Sequence, residues 1–235
     1  MKKYKLTEET IIVNGRTLYR IEALRDFAYI KKGDKGGFVE KENNLSQYGD
    51  SWVDDDAKVF GNAQVCGNAR IYGNAIVRDN AQVYGHASVR GNAEVYGHAD
   101  ICGDAQVYDE AKVYDNAKVF ENAEVSFDAK VYDDAKVYEY AMVQGNAKVY
   151  GNAEIRTNAC IYGDAVIDSI GDYIVFKNFW SSGRSFTWTR SNDMWKVGCF
   201  YGTGEELIKK AYKDSEISGK EYERIVKYVE TIKGK

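Results

Sequence analysis

An alanine stands at every sixth position from Ala57 to Ala165 without exception, and two residues after each comes a valine or isoleucine, from Val59 to Ile167. This period excludes an amphipathic helix, whose apolar positions return about every 3.6 residues. It fits an extended segment, in which side chains i and i+2 share a face. The alanine and the aliphatic residue then point inward, while Lys58, Gln64, Arg70, Glu94 and the neighbouring tyrosines point out. The last two positions of the unit Ala-x-(Val/Ile)-x-Gly-Asn tolerate left-handed backbone, so each hexad reads as a short strand and a corner. No hexad can bury its apolar side alone, and the chain must coil and stack its turns. With weaker echoes at Leu45, Ser51 and Val53, the array spans residues 45–170. The chain has no proline, and a continuous ladder of backbone hydrogen bonds tolerates few.

The pattern of an aliphatic residue followed four positions later by a small one, as in Val59 and Ala63, resembles that of the bacterial hexapeptide-repeat proteins. The resemblance implies a mainly β fold: a single-stranded left-handed parallel β-helix, a triangular solenoid with three hexads per coil. Residues eighteen apart become vertical neighbours, giving about seven coils spaced roughly 4.8 Å. One outward column then holds Phe60, Arg78, Tyr96, Tyr114, Tyr132 and Tyr150, and a second holds Cys66, Tyr84, Cys102, Phe120, Tyr138 and Arg156. Aromatic ladders of this kind favour the β structure by about 0.2–1 kcal/mol per pair. Tyr96, Tyr114, Tyr132 and Tyr150 are also the residues expected to form any protein-interaction face. Where the corner glycine gives way to Asp109, Asp115, Glu121, Asp133 and Glu139, a solvated acidic girdle is expected.

The flanks differ in pattern. Residues 1–44 carry Asn14-Gly15 between two β-like runs, a type I′ hairpin signal, and this segment is expected to cap the first coil. Residues 171–235 read as a small α+β domain: three strands in DYIVFKNFW, SFTWTR and MWKVGCF, a helix opened by the capping box Thr203-Gly-Glu-Glu206, and a second helix from about Ser218 to Lys233. The flanks and the array together resemble uncharacterised hexapeptide-repeat proteins of phage and prophage genomes. The resembling C-terminal residues are Gly183-Arg184, Thr187, Val197, Gly198-Cys199-Phe200 and Gly202-Thr203.

A net charge of −4 gives no general attraction to duplex nucleic acid or to anionic membrane. No apolar run approaches the roughly 18 residues of a span. Cys66, Cys102, Cys160 and Cys199 show no metal-binding spacing and read as reduced thiols. A cytoplasmic location is expected, that of the host cell if the chain is phage-encoded, with no membrane partner, cofactor or metal site.

For function the sequence favours a non-catalytic binding or scaffold protein. Arg184, Arg190, Lys196 and the helix start at Thr203 are the expected ligand-binding residues, suited to an anion such as a nucleotide phosphate. The phage resemblance implies sequestering a nucleotide-like signal or blocking a host defence protein. Self-association into a dimer or trimer is a further expectation. One alternative is an acyltransferase-like enzyme of the hexapeptide-repeat type. Such enzymes use a catalytic histidine, but His86 and His98 replace corner asparagines twelve residues apart, and no catalytic residue is assigned. The zinc-binding carbonic anhydrases of this fold use three histidines, and this chain has two. The other alternative is a structural assembly protein.

Overall fold

The computed structural model describes residues 2–233. Each hexad contributes a two-residue strand, and successive strands fall in turn on three parallel sheets. The first face of the column runs from Lys58–Val59 to Val166–Ile167 and the second from Gln64–Val65 to Glu154–Ile155. The third runs from Trp52–Val53 through Ser88–Val89 to Cys160–Ile161. Its seven strands mark about seven coils. Strand partners lie eighteen residues apart, as Glu94 with Lys112. Ala57 to Ile167 thus form the axial core, in which every repeat alanine and aliphatic residue is buried.

Each hexad typically donates three amides to the following coil. In one unit Lys112 N–H reaches Ala129 O at 2.9 Å, Tyr114 N–H reaches Val131 O at 3.0 Å, and Asn116 N–H reaches Asp133 O at 2.9 Å. The fifth position of the hexad takes positive φ whether it is glycine or not, as at Asp109 (60°) and Phe127 (59°). The expected acidic girdle has a different role at several corners. Glu121 accepts from Glu139 N–H at 2.9 Å, Asp133 from Gly151 N–H at 3.1 Å, and Asp109 from Phe127 N–H at 3.3 Å. These carboxylates cap amides of the next coil, so they tie turns together as well as facing water.

The N-terminal segment closes one end. Strands β1 (Tyr4–Val13) and β2 (Arg16–Ala23) form the hairpin, with Asn14 and Gly15 both at positive φ as a type I′ turn requires. β2 pairs antiparallel with β3 (Lys35–Val39), which pairs parallel with Lys58–Val59 and so extends the first face. Trp52 lies beneath this cap, edge-on to Phe27 at 5.3 Å and to Tyr4 at 6.3 Å. Carbonyls of the first complete coil find donors in the cap: the Asn44 amide reaches Ala63 O at 2.9 Å and Gly61 O at 3.2 Å.

The C-terminal unit closes the other end. It contains four antiparallel strands, Tyr173–Lys177, Ser185–Thr189, Met194–Val197 and Phe200–Gly202. The sequence run MWKVGCF therefore splits in two, because Gly198 adopts φ 55° and turns the chain. Helix α1 (Gly204–Asp214) starts at the expected capping box. Helix α2 (Glu216–Ile232) begins earlier than the sequence indicates, because Ser215 ends α1 and also caps α2 by accepting from Ser218 N–H at 3.1 Å. Phe186, Trp188 and Trp195 pack against Leu207, Tyr222 and Val226 in a second core. Amides of the last coil end on this unit: Cys160 N–H on Thr187 Oγ1 at 2.9 Å and Val166 N–H on Ser191 Oγ at 2.8 Å. Among the described residues no helix is long and apolar enough to cross a membrane.

Two outcomes follow from the caps. Thr187→Val leaves the buried Cys160 amide without an acceptor, and urea unfolding should register a loss of about 1–3 kcal/mol that Thr187→Ser largely restores. At the other end Lys3 is fully buried, with Nζ donating to Ser51 O at 2.7 Å. Burial, then nearby Arg25, lowers its ammonium to about 8 against an opposing pull from Asp50. The unfolded lysine titrates near ~10.4. Between these values the unfolded chain holds the extra proton, so stability rises with pH. Urea titrations should show a gain of about 1–1.5 kcal/mol from roughly pH 8 to pH 9.5, absent in Lys3→Met.

Candidate functional site

The three faces differ in what their outward side chains do. On the first, Tyr96, Tyr114, Tyr132 and Tyr150 stack with centroids 4.9–5.1 Å apart and planes within 8° of parallel. The Arg78 guanidinium closes this stack, 3.9 Å from the Tyr96 centroid. Burial, then Tyr96 and Tyr132, pushes the Tyr114 hydroxyl up to about 12, so it stays uncharged at neutral pH. The tyrosines of the expected interaction face thus spend their inner ring faces on one another. Beside them Lys112 pairs with Glu94 at 2.6 Å. The second face repeats this solution: Phe120 stacks on Tyr138 at 4.9 Å, and Lys136 pairs with Glu154 at 3.0 Å.

The third face follows neither habit. Its outward positions run Arg70, Ser88, Gln106, Glu124, Met142 and Cys160, with no lysine among them. Ser88 Oγ and Ser126 Oγ are shielded from water without a hydrogen-bond partner. The N-terminal cap overhangs one end of this face, where Tyr29 lies 4.3 Å beneath the Arg70 guanidinium. The C-terminal unit overhangs the other end. There Lys196 Nζ sits 4.3 Å from the Tyr162 ring centroid, and Tyr201 meets Tyr162 edge-on at 4.9 Å. The Tyr201 hydroxyl also rests against Gly163, at φ 72°, where any Cβ would collide with it.

Under that second overhang lies a groove of about 440 Å³. Met142, Gln144 and Cys160 of the solenoid form one wall, and Lys177, Arg184 and Lys196 of the C-terminal unit face them. Arg184 lies across Gly198, whose absent side chain leaves room for the guanidinium. None of the three cations joins an ion pair among the described residues, and no carboxylate lines the groove. Burial pushes the Cys160 thiol up to about 11, so it adds no negative charge at neutral pH.

Of the four ligand-binding residues expected from the sequence, Arg184 and Lys196 thus meet in one groove. Arg190 and Thr203 do not line it. Arg190 follows a strand whose end is tied down by its own N–H, which donates to Asp172 O at 2.8 Å. Thr203 is occupied by its helix: its Oγ1 accepts from Glu206 N–H at 3.3 Å, while the Glu206 carboxylate accepts from Thr203 N–H at 2.9 Å. A carboxylate therefore already sits at that N-terminus. Lys177 was legible only as part of a strand, and no spacing marked it for the groove.

The histidines keep corner roles. His86 Nε2 meets the Asn68 amide at 3.3 Å and His98 Nε2 meets the Asn80 amide at 3.4 Å. Ser88 and Asp104 line the same recess as His86, and no hydrogen bond joins Ser88 to it. Among the described residues no group of three or more His, Cys, Asp and Glu side chains is gathered to hold a metal.

Compared with known proteins, residues 63–79 match the family model described as the YdcK Beta solenoid repeat. The match covers slightly less than one coil and agrees with the repeat architecture. No curated protein matches the chain. Because asparagine is the usual corner residue, the double variant His86→Asn, His98→Asn should unfold within about 0.5 kcal/mol of the wild type in urea.

Proposed function

We propose that this chain is a non-catalytic binding scaffold whose rigid solenoid and C-terminal unit together hold a small anionic ligand of the nucleotide type. The observation that carries this reading is the convergence of Lys177, Arg184 and Lys196 on one groove with no lining carboxylate, in a protein of net charge −4. A guanidinium offers paired donors to a phosphate, while the two ammonium groups add charge without fixing direction. Gln144, Asn158 and Ser185 supply neutral hydrogen-bonding groups at the same groove, and Met142 offers an apolar patch for a base. The resemblance to phage and prophage proteins supports a setting in the host cytoplasm. There the scaffold sequesters a nucleotide-like signal or blocks a host defence protein.

Isothermal titration with nucleoside diphosphates, triphosphates and cyclic nucleotides tests the reading. We expect binding that weakens with added salt. Arg184→Ala and Lys196→Ala should each weaken it by about 10- to 100-fold, the range for a hydrogen bond to a charged group. No nucleotide binding at millimolar concentration, or undiminished binding in a folded variant combining Arg184→Ala with Lys196→Ala, overturns it.

A further inference from the structure

Ser88 is the one short side chain in the stretch Arg70, Ser88, Gln106 of the third face, and it leaves a recess between two long neighbours. The recess continues into a cavity of about 720 Å³ at the end of the face opposite the cationic groove. The cap loop closes it at Ala28 and Tyr29. Corner side chains Asn68, His86 and Asp104 form one flank, and Tyr72 and Arg90 form the other.

The side chains here are held in place and incompletely paired. Arg70 packs on Tyr29, and Arg90 lies 4.2 Å from the Tyr108 ring centroid while donating to Gln106 Oε1 at 2.8 Å. Neither arginine joins an ion pair among the described residues. Ser88 Oγ is sealed beneath the floor, so what this residue contributes to the recess is its small volume. Asp50, Asp54, Asp55 and Asp104 also line the cavity, so its formal charge is negative despite the two guanidiniums.

That mixture selects a ligand. A polyanion meets four carboxylates, and a simple cation meets two arginines. A hydroxyl both donates and accepts, so a ligand rich in hydroxyls can pair with donor-only guanidiniums, acceptor-only carboxylates and two-way amides together. Tyr29, 49% exposed, and Tyr72 add apolar ring surface suited to the C–H patches of a sugar ring. We propose that this recess is a binding site for a neutral oligosaccharide, separate from the anion groove and independent of it.

The test uses the whole chain and saturation-transfer NMR with neutral malto-, cello-, chito- and manno-oligosaccharides of three to six units. At least one series should receive saturation at millimolar concentration, and its affinity should fall at least tenfold in Ser88→Lys. Lysine occupies the equivalent hexad position at Lys112, Lys118 and Lys136, so this variant fills the recess with a residue the repeat already accepts. Tyr29→Ala, in the cap loop outside the repeat, supplies a second variant and should weaken binding likewise. Absence of binding across the panel overturns the proposal. So does unchanged affinity in both variants with thermal melts matching the wild type, or preferential binding of oligogalacturonate through the same residues. Nucleotide titration of Ser88→Lys, expected to be unaltered, separates failure here from failure at the anion groove.

Discussion

The constraint on which the molecule depends is the stacking of each alanine and valine or isoleucine on its counterpart eighteen residues away. The small residue and the branched one together fill the narrow prism, and both are sealed from solvent in every repeat hexad from Ala57 onward. A solid interior of this kind has no room for a buried ligand. Any recognition by the solenoid itself must therefore happen on its outer faces or where other chain segments lean over them. The two cavities discussed above obey this rule, since each is made by a flank overhanging the third face.

A column of stacked strands also has two open edges, and each requires groups of the complementary kind. At the first coil the surplus is carbonyl oxygen, and the cap answers with amide donors such as Asn44. At the last coil Cys160 and Val166 present amides, and the answer is hydroxyl oxygen from Thr187 and Ser191. The C-terminal unit is thus part of the solenoid's hydrogen bonding as well as one wall of the groove. The same strand that ends at Thr189 begins at Ser185, beside Arg184, so closing the column also sets the position of the guanidinium.

Much of this was legible in the letters. The six-residue period fixes strand and corner, the Asn14-Gly15 pair marks the hairpin, and the tyrosine columns follow from counting by eighteen. The site was less legible, for physical reasons. The capping box at Thr203 is readable from Glu206 in the sequence, and in the structure that carboxylate occupies the helix start expected to attract an anion. Arg184 and Arg190 flank opposite ends of the strand Ser185–Thr189, so only the first reaches the groove. The third face carried a usable signal that a search for catalytic motifs passes over. Lysines stand at the hexad position after the alanine on the other two faces, at Lys58, Lys112, Lys118, Lys130, Lys136 and Lys148, and never on the third, where the tyrosine is also often replaced, as in Ala87-Ser-Val-Arg, Ala123-Glu-Val-Ser and Ala141-Met-Val-Gln.

The strict coil length gives the third face a metric. Recess and groove are separated by whole coils, so their spacing can change only in steps of one inter-strand distance, roughly 4.8 Å. Insertion of a single hexad would rotate everything downstream onto the next wall and swing the C-terminal unit away from the cap loop's side. Only additions of three hexads preserve alignment. The column behaves as a graduated rod, on which evolution can lengthen the distance between recess and groove without redesigning either.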